Sequence, residues 1–200
     1  MHEFILFGNL GFHHILDPQA FDHLLFVVTL CAVYQVGEWR KILVLITAFT
    51  IGHSATLVLS GLNLLNVPSN LVELLIPITI VLTSLYNIQF QRNANMTGLF
   101  SKAVRWNYAM ALAFGFIHGM GFAHYFRALM GADGGIVKPL FSFNVGIETG
   151  QVVVVGIFIG LHWVLERMFH FQHRDWNQYV SGLGGGGAMV LIMQAIFGSL

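Results

Sequence analysis

The sequence predicts an all-α polytopic membrane protein: a bundle of six transmembrane helices preceded by a short N-terminal interfacial or re-entrant segment. Two observations carry this. Of the 200 residues, 56% are hydrophobic and only 9% charged, where a soluble domain carries about a quarter charged residues. Mean hydropathy is +0.73, and the apolar residues fall in six stretches near the roughly 20 residues that cross a bilayer core. So few polar side chains cannot cover a wetted surface. Lipid is the expected solvent.

The elements follow in order. The opening MHEFILFGNLGF has His2 and Glu3 where a signal peptide carries lysine or arginine, and Gly8 and Gly11 interrupt its apolar run. It therefore reads as an interfacial or re-entrant piece, not a cleavable leader. Spans are expected at 20–37, 41–61, 70–90, 106–126, 139–165 and 177–198. Pro68 precedes the third and Pro139 opens the fifth, where a missing N–H costs little. Pro77, inside the third, is expected to kink it. The sixth contains SGLGGGGAMV, with Gly184 to Gly187 in a row. Close packing on a neighbouring backbone is the favoured reading, and an unwound segment lining a pathway is the sharper one. Connections are short, so residues 1–200 form a single transmembrane domain.

Nine basic residues balance nine acidic ones, and without a basic patch no nucleic-acid partner is expected. Arg40, Lys41, Arg92, Lys102, Arg105, Arg167 and Arg174 fall on one side of the spans. Arg127 and Lys138, with Asp133 between them, fall on the other. The basic-rich side is the cytoplasmic one, which puts both termini outside. Trp39, Trp106, Trp163 and Trp176 lie near that same boundary, where indoles prefer to sit. The single cysteine, Cys31, excludes an intramolecular disulfide and reads as a packing residue.

Ionisable groups inside spans are costly, so each needs a partner or a wet cavity. Asp22 and His23 stand at the outer end of the first span, after His13 and His14, and Glu73 at the outer start of the third. His53 and His118 lie roughly 18 Å from the cytoplasmic edge of two outward-running spans, and Asn144 and Glu148 about 8–14 Å below the outer surface. Asn144, Glu148 and Gln151 form one stripe at i, i+4, i+7; Thr47, Thr50, His53 and Ser54 form another. Gly115, Gly119 and Gly121 thin the helix beside His118. Singly, each group reads as a hydrogen-bond partner, helix glue or a cap. Together, three imidazoles and two or three carboxylates in one layer make an N/O ligand set for a divalent transition metal.

His124 and His162 are weaker candidates. His170 and His173, in HFQHRD, read as solvated loop histidines, with metal handoff on the exit side as the alternative. No phosphate-binding loop or nucleophile constellation points to an enzyme or an organic cofactor. A rival class, an intramembrane zinc hydrolase, would use the same residue types. A membrane metal-binding protein that transports nothing is the third reading.

The stretches GFHHILDPQAFDHLLF, TAFTIGHSATL, FGFIHGMGFA and FNVGIETGQ together resemble the HupE/UreJ family of bacterial membrane proteins, from about Gly11 through the last span. The resemblance implies a permease of the bacterial cytoplasmic (inner) membrane that carries a divalent transition-metal ion, and not an enzyme. Nickel is favoured, cobalt and zinc being open alternatives, and urease or hydrogenase maturation factors are implied partners alongside lipid. Oligomeric state, a homo-oligomer included, is left open. By motif, the metal ligands would be His14 (or His13), Asp22, His23 and His118, joined by His53 and Glu148. Glu73, Asn144 and Gln151 are further pathway residues. The first spacer is two residues longer than in characterised hydrogenase-linked members, leaving open whether the first histidine shares a ligand shell with Asp22 and His23. Gly121 stands where those members carry an acid, and Glu148 is expected to supply the missing carboxylate.

Overall fold

In a computed structural model, residues 2–17, 21–90, 98–130, 135–169 and 172–198 are described. Arg92, Asp133 and His170 lie outside them. Among the described residues there are seven α-helices and no strand: α1 (His2–Leu16), α2 (Phe21–Cys31), α3 (Trp39–Gly61), α4 (Ser69–Phe90), α5 (Lys102–Met130), α6 (Val137–Phe169) and α7 (His173–Phe197). Five of them, α3 to α7, are long and apolar enough to cross a membrane. Their outward faces carry Leu43, Ile51, Leu82, Leu85, Ile157, Leu161 and Leu183, all exposed, while His53, Thr56, His118, Gln151 and Ser181 are buried. This inverts the arrangement of a water-soluble bundle, in which charged and polar groups face out.

The expected first span, 20–37, is corrected. α2 has 11 residues, about 16 Å of helix, well short of a hydrocarbon core of about 30 Å. The chain turns at Ala32–Tyr34, where Ala32 N–H donates to the Thr29 carbonyl at 3.3 Å and Tyr34 N–H to that of Cys31 at 3.0 Å. A short 3₁₀ turn, Val36–Glu38, then leads into α3. The run Cys31–Tyr34 is apolar because it is buried, with the Tyr34 hydroxyl accepting from Asn107 Nδ2 at 3.0 Å. The remaining spans match expectation to within a few residues at each end.

The N-terminal segment is likewise neither re-entrant nor interfacial in form. It is a 15-residue helix laid along α6. The glycines that break its apolar pattern are the contact surface: a Cβ added at Gly11 would lie 2.1 Å from the Phe143 carbonyl oxygen, and one at Gly146 2.0 Å from that of Gly8. Gly150 meets Ile15 further along, so α1 and α6 run parallel. α3 and α5 are also parallel and equally close, through Gly52 on Leu112, Gly115 on Phe49 and Gly119 on His53. Small residues that admit a facing backbone are how helices associate without a hydrophobic drive between them.

α7 is helical throughout, including its four consecutive glycines. Gly184 packs on Thr29 and Gly187 on Leu25 of α2, and Gly185 on Ser84 of α4. Buried amides lock the far ends of these three helices: Asn87 Nδ2 donates to the Thr29 carbonyl (2.7 Å) and Asn177 Nδ2 to the Asn87 carbonyl (3.1 Å). Trp176 is buried, with its ring stacked 4.7 Å from that of His162 at 4°. Trp39, Trp106 and Trp163 are exposed.

The glycine contacts generate a paired test. Gly115→Ala places a methyl group 2.1 Å from a backbone oxygen, whereas Gly182 has nothing within 4 Å. Gly115→Ala is expected to cost about 1–3 kcal/mol and Gly182→Ala close to nothing, read as melting temperature in detergent by tryptophan fluorescence. Equal melting of the two variants would show that the contact is not holding α3 to α5.

Candidate functional site

Four imidazoles from four helices meet in the interior. His14 of α1 lies 4.5 Å from His23 of α2, ring centre to ring centre, and 5.9 Å from His53 of α3. His23 lies 6.1 Å from His53 and 5.3 Å from His118 of α5. His53 and His118 are 0% exposed and His23 4%. Despite the longer spacer, His14 shares the cluster with Asp22 and His23. In one continuous helix the nine residues from His14 to His23 would span about 13 Å; here His14 belongs to α1 and His23 to α2, two separate helices whose rings lie 4.5 Å apart.

Phenylalanines close the cluster along the helix axes. Phe26, one turn past His23, and Phe49, one turn before His53, pack against each other at 5.0 Å and both touch His118. On the opposite side Phe122 lies 4.3 Å from His14 and stacks on Phe143 at 4.8 Å and 8°.

Hydrogen bonds fix how two of the rings present themselves. Asp22 Oδ1 accepts from the His23 backbone N–H at 2.9 Å and lies 3.0 Å from its Nδ1. A carboxylate only accepts, so Nδ1 carries the proton and Nε2 keeps a free lone pair. Thr79 on α4 works the other way round. Its hydroxyl donates to the Ile76 carbonyl at 2.7 Å, leaving the oxygen to accept from His118 Nε2 at 3.0 Å. His118 Nδ1 is then the bare acceptor; the opposite tautomer would strand a buried N–H, the rarer defect. His14 Nε2, His23 Nε2, His118 Nδ1 and both nitrogens of His53 are buried without a hydrogen-bond partner.

A cavity of about 530 Å³ adjoins the cluster on the α2–α4–α7 side, lined among others by His14, Asp22, His23, Glu73, Gly121 and Gln194. The position where the resemblance leads one to expect an acid, Gly121, thus opens on a space to which α4 contributes Glu73. Glu148 is placed elsewhere. It accepts a 2.5 Å hydrogen bond from Thr47, about 9 Å along α3 from His53 and beyond Phe49. Gln151 accepts from Thr50 at 2.9 Å, on the same α3–α6 seam. Asn144 is half-buried with its Oδ1 unpartnered. Ser54 donates to the Thr50 carbonyl four residues back.

His13 points away, exposed and edge-on to Phe12. His124 pairs with the Val67 carbonyl and Arg127, and His173 with the Val33 carbonyl. Thr79 and Gln194 were not expected from the sequence. Thr79 and Thr83 at i, i+4 just after Pro77 were the available signal for the first; Gln194, a lone amide near the end of an apolar helix, offered one for the second. Among the described residues no group of three or more His, Cys, Asp or Glu side chains is set to hold a metal ion as it stands. The rings pack on one another, and ligation requires them to turn about their side-chain torsions.

Opposite tautomers are expected for His23 (proton on Nδ1) and His118 (proton on Nε2), resolved by side-chain ¹⁵N NMR of the detergent-solubilised protein. Thr79→Val should erase the His118 preference and Thr79→Ser should keep it; an unchanged spectrum in Thr79→Val rules out the assignment.

Compared with known proteins, residues 1–197 match a family profile described as HupE / UreJ protein. No curated protein and no solved structure matches the chain.

Proposed function

The chain belongs to the HupE / UreJ protein family, a nickel/cobalt transport-related family of membrane proteins, and from that premise we propose that it is a secondary permease for a divalent transition-metal ion, nickel foremost. One observation carries the reading: ring nitrogens of His14, His23, His53 and His118 are buried together with lone pairs unspent. An unpartnered buried polar group costs about 1–3 kcal/mol, and a divalent cation is the ligand class that neutral imidazoles serve. Asp22 supplies charge and holds His23 in its ligating tautomer, as outer partners of metal-bound histidines do. Thr79 does the same for His118.

In this reading α1 and α2, which run in one direction, form a single interrupted crossing, so that the bundle has six. Interrupted helices at mid-membrane are where transporters build ion sites. The charge asymmetry of the loops orients the cavity and both termini to the outside of a bacterial cytoplasmic membrane. Because no three ligands are held ready among the described residues, coordination forms as rings turn, and an ion so held can also leave; a site that binds too tightly does not conduct. Glu148, beyond the Phe26–Phe49 layer, and Gln151 on the same α3–α6 seam are oxygen ligands for the onward step.

Uptake of ⁶³Ni by proteoliposomes tests this. His23→Ala and His53→Ala are expected to reduce uptake to the level of protein-free vesicles while the variants remain monodisperse; wild-type uptake in both would refute the assignment. Only neutral imidazole binds metal, so external acidification should slow wild-type uptake. A rate that rises on acidification would point to another ligand set.

A further inference from the structure

The cavity beside the imidazoles has one feature the site itself does not need: polar groups on helices that contribute no histidine. Glu73 comes from α4 and Gln194 from the last turn of α7. Pro77, also in the lining, has no N–H to give the Glu73 carbonyl one turn back. Among the described lining residues there is no lysine or arginine. Asp22, Glu73, the Gln194 amide oxygen and the bare ring nitrogen of His23 can therefore each offer a lone pair to a cation. The buried, unpartnered Nε2 of His23 belongs to the same lining.

Size agrees with charge. At about 30 Å³ per water, an ion with six waters occupies on the order of 200 Å³, so a space of about 530 Å³ admits it hydrated. The imidazole cluster, with rings in contact, does not. Stripping the shell from a divalent cation is costly, and a chamber that holds the ion by outer-sphere hydrogen bonds lets the imidazoles replace waters one at a time.

We infer that this cavity is a docking chamber for the hydrated divalent cation, in which Glu73, Gln194 and Asp22 hold the ion through its waters before His23 and His14 take it over. The inference rests on the metal-transport reading and adds an access route to it: the ion arrives between α2, α4 and α7, and not past the exposed His13 on α1.

Cysteine accessibility tests this without requiring flux. In a Cys31→Ala background, Ala195→Cys, in the same lining but with no part in holding the ion, is expected to react with a cationic, membrane-impermeant thiol reagent added outside proteoliposomes, and nickel or cobalt chloride is expected to slow that reaction at least tenfold. Met193→Cys, on the exposed face of α7, should gain no protection. His53→Ala should leave the protection at Ala195→Cys intact, and Glu73→Gln should largely remove it. An unreactive Ala195→Cys, a rate indifferent to metal, or full protection in Glu73→Gln each overturns the chamber. Protection without ⁶³Ni flux in the wild type would retain the chamber and discard the permease.

Discussion

An imidazole buried in an apolar interior must spend each nitrogen on a partner or bear the cost of leaving it bare. Here that cost is concentrated. Five ring nitrogens on four side chains are without partners within a few ångströms of one another, where single buried polar defects are ordinarily dispersed and few. At about 1–3 kcal/mol apiece, they weigh against a stability that is typically about 5–15 kcal/mol. Such a cluster persists only if the surrounding helices are held rigidly enough that the rings cannot escape to better partners. The near-contact glycine seams of α1 on α6 and α3 on α5 do this, fixing the backbones that carry His14, His53 and His118.

The second requirement is that α1 and α2 are separate helices. Asp17 precedes Pro18, and a residue before proline is pushed out of the helical region while proline itself cannot continue the hydrogen-bond ladder. α1 accordingly ends at Leu16. The two helices contribute His14 and the Asp22–His23 pair at one level. Asp22, at the start of α2, is also where a carboxylate is favoured by the helix dipole. Asp22 thus has three roles at once: helix start, tautomer lock and charge.

Much of this was legible in advance, and the failures share a cause. Helices α3 to α7 follow from hydropathy because length and apolarity suffice for a continuous span. His53 and His118 were placed at one level by counting residues along two parallel helices, and they do meet through His23. Glu148 was placed at that level by the same count and lies instead with Thr47, because α6 has 33 residues and counting from Pro139 assumes a membrane edge that so long a helix does not obey. The run to 37 was read as helix because apolarity signals burial in a turn as well as in a span. Gly8 and Gly11 looked like breaks, although in lipid a glycine is as often a seat for another backbone. Thr79 escaped notice because a hydroxyl carries no charge and its role exists only once His118 is opposite it.

The arrangement of donors along the molecule has a direction. The cavity adds the carboxylate and amide oxygens of Asp22, Glu73 and Gln194 to the imidazoles at its edge, the cluster offers imidazole nitrogen, and the α3–α6 seam offers oxygen again at Gln151 and, beyond Phe49, at Glu148. Late divalent transition metals gain most from nitrogen, and hard ions such as magnesium and calcium prefer oxygen with retained water. Under the proposed function, an ion of the second kind could occupy the cavity but would gain nothing by exchanging its waters for imidazoles that are, moreover, packed against one another. An ion of the first kind would gain, and that gain would offset the work of turning the rings apart. On that reading selection would fall at the boundary between cavity and cluster, where Asp22 and His23 stand side by side, and would need no rigid cage.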